Sequence, residues 1–139
     1  MRNPLKHIIV SVTIGFLCLV GPKAAVSQIS IGETAPGFML QDLQGGSHKL
    51  ADMQTHGLIV LYFFDTESQV SLEGMQYLDF LKKKYQTADL VVWGVSSGEL
   101  ARVEQFNTKH NPGFPILHDN QQVSQRYDAQ FILPTVCII

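Results

Sequence analysis

Residues 57–64, GLIVLYFF, form an unbroken apolar run of strand length, and residues 89–97, DLVVWGVSS, form a second. Both are rich in β-branched and aromatic residues. A strand with one wet face alternates apolar and polar residues, so a continuous run fits a strand covered on both faces. Between the two runs the period changes. From Ser68 onward, Leu72, Met75, Leu78, Leu81 and Tyr85 recur at three- and four-residue steps, the spacing of an amphipathic helix. Strand, helix, strand in that order predicts a parallel pair joined by a right-handed crossover, and hence an α/β fold.

The rest of the chain extends this unit. QISIGETAPG, 28–37, reads as an extended lead-in. FMLQDLQGGSHKLADM carries a hairpin signal at Gly45–Gly46. Leu100, Val103 and Phe106 mark a second helix, ended by HNPG at 110–113. FPILHD is a short extended piece, and NQQVSQRYDA a turn or short helix. FILPTVCII reads as a third strand with Pro134 inside it. A proline removes a ladder hydrogen bond, so this position calls for a bulge, a strand start or a cis bond. A bulge and a cis proline beside a site are the two readings open at this position.

The chain has 139 residues, which indicates one folded domain. Hydrophobic residues are 45% and charged residues 16%, a balance that favours a packed core over disorder. The net charge is −2, and the one cationic run, Lys82–Lys84, falls on the helix pattern, where a solvated face accounts for it. Nothing here calls for nucleic acid as a partner.

The N-terminus differs. Arg2, Lys6 and His7 precede an apolar run, Ile8 to Gly21, followed by Pro22, Lys23 and AAVSQ. A positive start, a short apolar stretch and a small-x-small site describe a secretory signal, 1–27, with Ala25 and Ser27 before the cut. The run is shorter than the ~20 residues of a spanning helix, so an uncleaved membrane anchor is the alternative. Cys18 lacks the small residue a lipoprotein cysteine wants before it. The expected mature domain is 28–139, periplasmic or extracellular. It keeps one cysteine, Cys137, which excludes an internal disulfide.

In order and spacing, IGETAPGFMLQDLQGGSHKLADM, GLIVLYFFDTESQVSLEGMQYLDFLKKKY, DLVVWGVSS and FPILHDNQQVSQRYDAQFILPT resemble the thioredoxin-like exported thiol-disulfide oxidoreductases. These belong to the redoxin group with the alkyl hydroperoxide reductase/thiol-specific antioxidant proteins. The resemblance runs from Ile29 to the last residue. It implies a thioredoxin-like central sheet with flanking helices and an N-terminal hairpin. The family carries a W-C-x-x-C motif at the start of the first helix, facing a cis proline followed by threonine. Here Glu67 falls at the tryptophan, Ser68 and Ser71 at the two cysteines, and Pro134–Thr135 at the proline element. Peroxiredoxin relatives use T-x-x-C; with Thr66 as that threonine, Gln69 takes the cysteine position. Neither alignment supplies a thiol. The family also continues past this strand with an antiparallel strand and a helix, so the chain is expected to be C-terminally truncated or a fragment.

Serine cannot inherit the chemistry. Disulfide exchange needs a thiolate, and no histidine is near Ser68 in sequence: His48, His56, His110 and His118 are the ones after the signal. There is no G-x-S-x-G to suggest a hydrolase. Copper-delivering relatives need two cysteines and a histidine, so no metal or other cofactor is expected. Cys137 lies three strand residues past Pro134, ~10 Å away, within an apolar run that raises a thiol pKa. Ser68 is well suited to be a helix N-cap instead. Asp65 and Glu67 beside it favour the helix dipole but oppose a thiolate. The expected function is a redoxin-family protein without dithiol activity, binding extended or partly unfolded exported polypeptides through the backbone of Leu133 and Thr135 around Pro134. The alternative is an oxidoreductase or peroxidase of the same family that uses another thiol.

Overall fold

The computed structural model describes residues 29–139, apart from 54, 56, 87 and 88. The signal assigned to 1–27 lies outside the described residues. The chain gives β1 (Met39–Asp42), β2 (Ser47–Lys49), a 3-10 turn (Leu50–Met53), β3 (Leu58–Phe63), α1 (Gln69–Lys84), β4 (Leu90–Ser96), α2 (Leu100–His110), β5 (Ile116–His118), α3 (Gln122–Arg126) and β6 (Thr135–Ile138). The strands form one mixed sheet in the order β2-β1-β5-β4-β3-β6. β3, β4 and β5 are parallel, while β1 and β6 join antiparallel. The α/β class and the helix-joined parallel pair expected from the apolar runs are both present.

β3 shows why its run is continuous. Ile59, Leu61 and Phe63 enter one core with Phe38, Trp93, Leu117 and Tyr127. Val60, Tyr62 and Phe64 enter a second core with Met75 of α1 and Val103 and Phe106 of α2. Both faces of the strand are dry, so no polar residue is tolerated on either. The first core is tied to the N-terminal lead-in: Tyr127 Oη donates to Pro36 O at 2.7 Å, and Arg126 Nη1 to Gly37 O at 2.9 Å.

Two readings are corrected by the packing. β6 starts at Thr135, so Pro134 stands just ahead of the strand rather than inside it. There its missing N–H costs the ladder nothing. Tyr85, assigned to the buried face of the first helix, is the C-cap of α1 and is exposed. The helix face turned to the sheet ends about one turn earlier, where Lys82 Nζ instead donates to Gly113 O at 2.9 Å.

The β1–β2 hairpin is held from within by one side chain. Gly45 takes φ +86, a conformation a side chain would strain. Asp42 accepts from Gln44 N at 2.9 Å, from Gly46 N at 2.7 Å and from His48 Nε2 at 2.7 Å. The His48 bond is the main reason its carboxyl sits below the ordinary 3.8, helped by the two amides and opposed by burial. A carboxyl with a depressed folded pKa stabilises the fold above the unfolded value and loses that stabilisation as pH falls through the folded one. Wild type is therefore expected to lose more stability than Asp42→Asn on acidification below pH 3.8. Urea midpoints measured on both proteins down that pH series check this; parallel curves would refute it.

Candidate functional site

The loop from β3 to α1 is built by short-range hydrogen bonds. Phe64 N donates to Val95 O at 3.0 Å, which keeps the chain on the sheet one residue past β3. Asp65 Oδ1 then accepts from Glu67 N at 3.0 Å, and Asp65 O from Ser68 N at 3.4 Å. Ser68 has extended backbone, φ −89 and ψ 121, and its hydroxyl accepts from Ser71 N at 3.3 Å. This is the geometry of an N-cap, a bond worth ~1 kcal/mol over alanine.

Ser71 sits deeper. It is fully buried, its hydroxyl accepts from Asp65 N at 3.2 Å, and its carbonyl accepts from Tyr62 Oη at 2.7 Å. Burial pushes the Tyr62 phenol up to about 12, so it stays a donor at neutral pH. Gly74 makes room for that phenol. A Cβ there would overlap Tyr62 Oη and lie 3.1 Å from Cζ.

The Leu133–Pro134 bond is cis. Thr135 pairs with Phe63 in the β3–β6 register, so Pro134 comes level with Phe64, where the chain leaves the sheet for Ser68. Leu133 packs on the first core. The Thr135 hydroxyl donates to Ile132 O and closes the turn. Phe131 and Ile132, just ahead of the proline, are 84% and 75% exposed, and Val70 in the first turn of α1 is 62% exposed. The topology thus brings Asp65, Glu67, Ser68 and Ser71 to the same end of β3 as Leu133, Pro134 and Thr135.

The charges differ from the sequence-based expectation. Glu67 does not stand alone beside Ser68. Its carboxylate is paired with Arg102 Nη1 of α2, and Arg102 Nε also reaches Glu99 at 3.3 Å. A countered carboxylate opposes a neighbouring anion less than a bare one, so of the two only Asp65 keeps the role foreseen for both. A cleft of about 310 Å³ opens here, lined by Thr66, Glu67, Arg102, Gln105, Phe106, Lys109 and His110. The His110 ring rests 4.6 Å from that of Phe106. Sequence reasoning missed Arg102 and Lys109 here, with His110 beside them. Their signal was the spacing Arg102, Phe106, Lys109, His110, one side of a helix, but nothing in the sequence aims that side at Glu67.

Ser68 meets no base. Among the described residues, no histidine or carboxylate hydrogen-bonds its hydroxyl. His48 is bound to Asp42, and His118 Nε2 to Gly98 O. Cys137 pairs across from Leu61, well down β6 from Pro134, and burial pushes its thiol up. It faces a separate groove with Ile29, Ile31, Tyr127 and Ile139. Another cleft, about 480 Å³, runs along β1, β5 and α3 and shares no residue with the α1 start.

The AhpC/TSA family model matches residues 31–139. The thiol-disulfide oxidoreductase ResA of Geobacillus thermodenitrificans is 34% identical over 113 residues, 80% of this chain and 64% of that protein. The ResA of Geobacillus kaustophilus is 30% identical over 141 residues, all of this chain and 79% of that protein. The chain thus spans less than two thirds of the first relative's length. Among solved structures, a putative thiol:disulfide interchange protein DsbE from Chlorobium tepidum superposes with a TM-score of 0.72 at 22% identity, covering 81% of this chain and 79% of that one. The thioredoxin domain of a Bacteroides vulgatus thiol-disulfide oxidoreductase gives 0.71 at 16% identity, over 81% and 82%. The fold is thioredoxin-like.

Proposed function

The chain belongs to the AhpC/TSA family, and from that premise we propose that it binds extended or partly unfolded polypeptides without exchanging disulfides. Ser68 and Ser71 occupy the family's dithiol positions, and the site is the α1 start with Leu133, Pro134 and Thr135. One observation carries this reading: both hydroxyls at the α1 start are committed to the backbone, Ser68 as cap and Ser71 as buried acceptor. Around them Val70, Phe131 and Ile132 offer apolar surface that a folded monomer gains nothing from exposing. An extended chain laid against the turn before β6 would add main-chain hydrogen bonds to that apolar contact. The charge pattern of residues 1–27 supports export, with a membrane anchor as the alternative; among the described residues no helix is long and apolar enough to cross a membrane.

A second reading draws on the relatives, which are named thiol-disulfide oxidoreductases. It makes this chain an oxidoreductase or peroxidase that uses Cys137 or a thiol on another chain. The raised pKa and partial burial of Cys137 weigh against it.

The test is titration of the protein with a fluorescently labelled, reduced and alkylated polypeptide, followed by anisotropy. Saturable binding is expected, weakened at least about tenfold in Phe131→Asp/Ile132→Asp, which places two charges in the apolar contact. Absence of binding by the wild-type chain would refute the proposal.

A further inference from the structure

The cleft beside Glu67 has a composition the proposed function does not yet use. It lies between the β3–α1 loop and α2, next in the chain to Ser68. Arg102, Lys109 and His110 bring three nitrogen-bearing side chains to it. The one carboxylate in the lining, Glu67, is already held by Arg102. Lys109 has no partner among the described residues. Phe106 forms an apolar floor, with the His110 ring tilted against it at 4.6 Å. The cleft is open and its charged groups are solvated, so it can select a ligand group without the cost of burying an ion.

We infer that this cleft takes a carboxylate side chain of the bound polypeptide, with Arg102 as its fork-shaped partner, Lys109 as a second cation and Glu67 as a built-in competitor. The ligand class is an acidic extended peptide. The inference rests on the polypeptide-binding reading of the α1 start. Arg is suited to the role because its planar guanidinium can hold a carboxylate through two parallel N–H bonds. The Glu67–Arg102 pair shows that a carboxylate on the loop leading to Ser68 reaches this guanidinium. A peptide carboxylate entering there displaces Glu67 and exchanges one exposed ion pair for another, and Lys109 tips the balance towards the ligand. The net charge of the chain, −2, does not favour acidic ligands, so a preference for them has to come from local geometry. Lys109 also lies in the last turn of α2, where a cation complements the helix dipole. That role alone would change stability and leave peptide selectivity untouched.

The experiment uses three labelled extended peptides, identical except for one central residue, Glu, Gln or Lys, titrated against wild type, Arg102→Gln, Lys109→Gln and Glu67→Gln. Wild type is expected to prefer the Glu peptide over the Gln peptide by roughly threefold, the scale of an exposed ion pair. The preference should vanish in Arg102→Gln, shrink in Lys109→Gln and grow in Glu67→Gln. It should also disappear at about 0.5 M salt, where exposed charges are screened. Sodium acetate at millimolar concentration should not displace the Glu peptide; if it does, the cleft is a small-anion site and the inference fails. Equal affinity for the Glu and Gln peptides in all four proteins would overturn the inference while leaving the polypeptide reading intact. If no peptide binds any of the four proteins, both fall.

Discussion

The double variant Ser68→Cys/Ser71→Cys is expected to reduce insulin disulfides with dithiothreitol as electron donor, whereas the unmutated chain is expected to match the no-protein control. The geometry for the gain is in place. The Ser68 oxygen already receives the Ser71 amide at 3.3 Å. A sulfur there would sit at a helix N-terminus, where thiol pKa values fall well below ~8.5 and the thiolate fraction at neutral pH rises by roughly tenfold or more. Ser68 is the N-cap, and its side chain already turns back to the Ser71 amide, so the two side chains start close together; a disulfide requires their Cβ atoms to come within ~3.5–4.5 Å. Burial separates the two roles: position 68 is reachable and would attack, while position 71 is shielded and would resolve. Ser68→Cys alone should trap mixed disulfides without turning over. Asp65 should keep the pair's activity below that of a site without a nearby carboxylate. Adding Glu67→Trp should raise it, by removing a carboxylate and freeing Arg102 to favour the thiolate. Turnover by the unmutated chain, abolished by Cys137→Ser, would instead establish the oxidoreductase reading.

Gly74→Ala is expected to cost up to about 2 kcal/mol of stability, against the usual sign of that substitution. In a helix interior alanine is ~1 kcal/mol better than glycine. Here the added methyl would overlap the Tyr62 hydroxyl, and that ring is itself fully buried, with little room to withdraw. Forcing an extra group into a packed interior costs typically 1–3 kcal/mol. Tyr62→Phe removes the overlapping oxygen, along with a hydrogen bond worth ~1 kcal/mol. In that background Gly74→Ala should be close to neutral, since the contact left is with ring carbon at 3.1 Å. Urea unfolding of the four proteins gives the coupling between the two positions. A Gly74→Ala protein at least as stable as wild type would show that Tyr62 can move aside.

Much of the architecture was legible because local signals agreed with the global fold. The two apolar runs became β3 and β4, and the three- and four-residue spacing after Ser68 became α1. Gly45–Gly46 closed the hairpin. Pro134 was legible as an exception but not in its placement: the apolar run FILPTVCII hides the point at which β6 begins, because Phe131 and Ile132 are apolar and yet exposed. The surroundings of the α1 start were half legible. Ser68 announced itself as a cap through residue type and position. Arg102, Lys109 and His110 did not, because what sets them beside Glu67 is the packing of α2, through Val103 and Phe106, on the same core as Met75 of α1. Sequence distance carries no trace of that.

The strand order has a consequence in time. β3, α1 and β4 are neighbours along the chain and can assemble as soon as they exist. The β1–β2 hairpin can form locally but joins the sheet only once β5 has arrived, and β6 pairs with β3 only after the rest of the described chain has been made. Such distant pairings are slow, because the intervening loop must close before any contact compensates for its lost entropy. The cap at Ser68 belongs to the early unit and the proline turn to the late one. A ligand gripping both would act as a clamp on the docking of β6 and would stabilise the docked state by its own binding free energy. Polypeptide binding in this chain would then double as a report that β6 is docked.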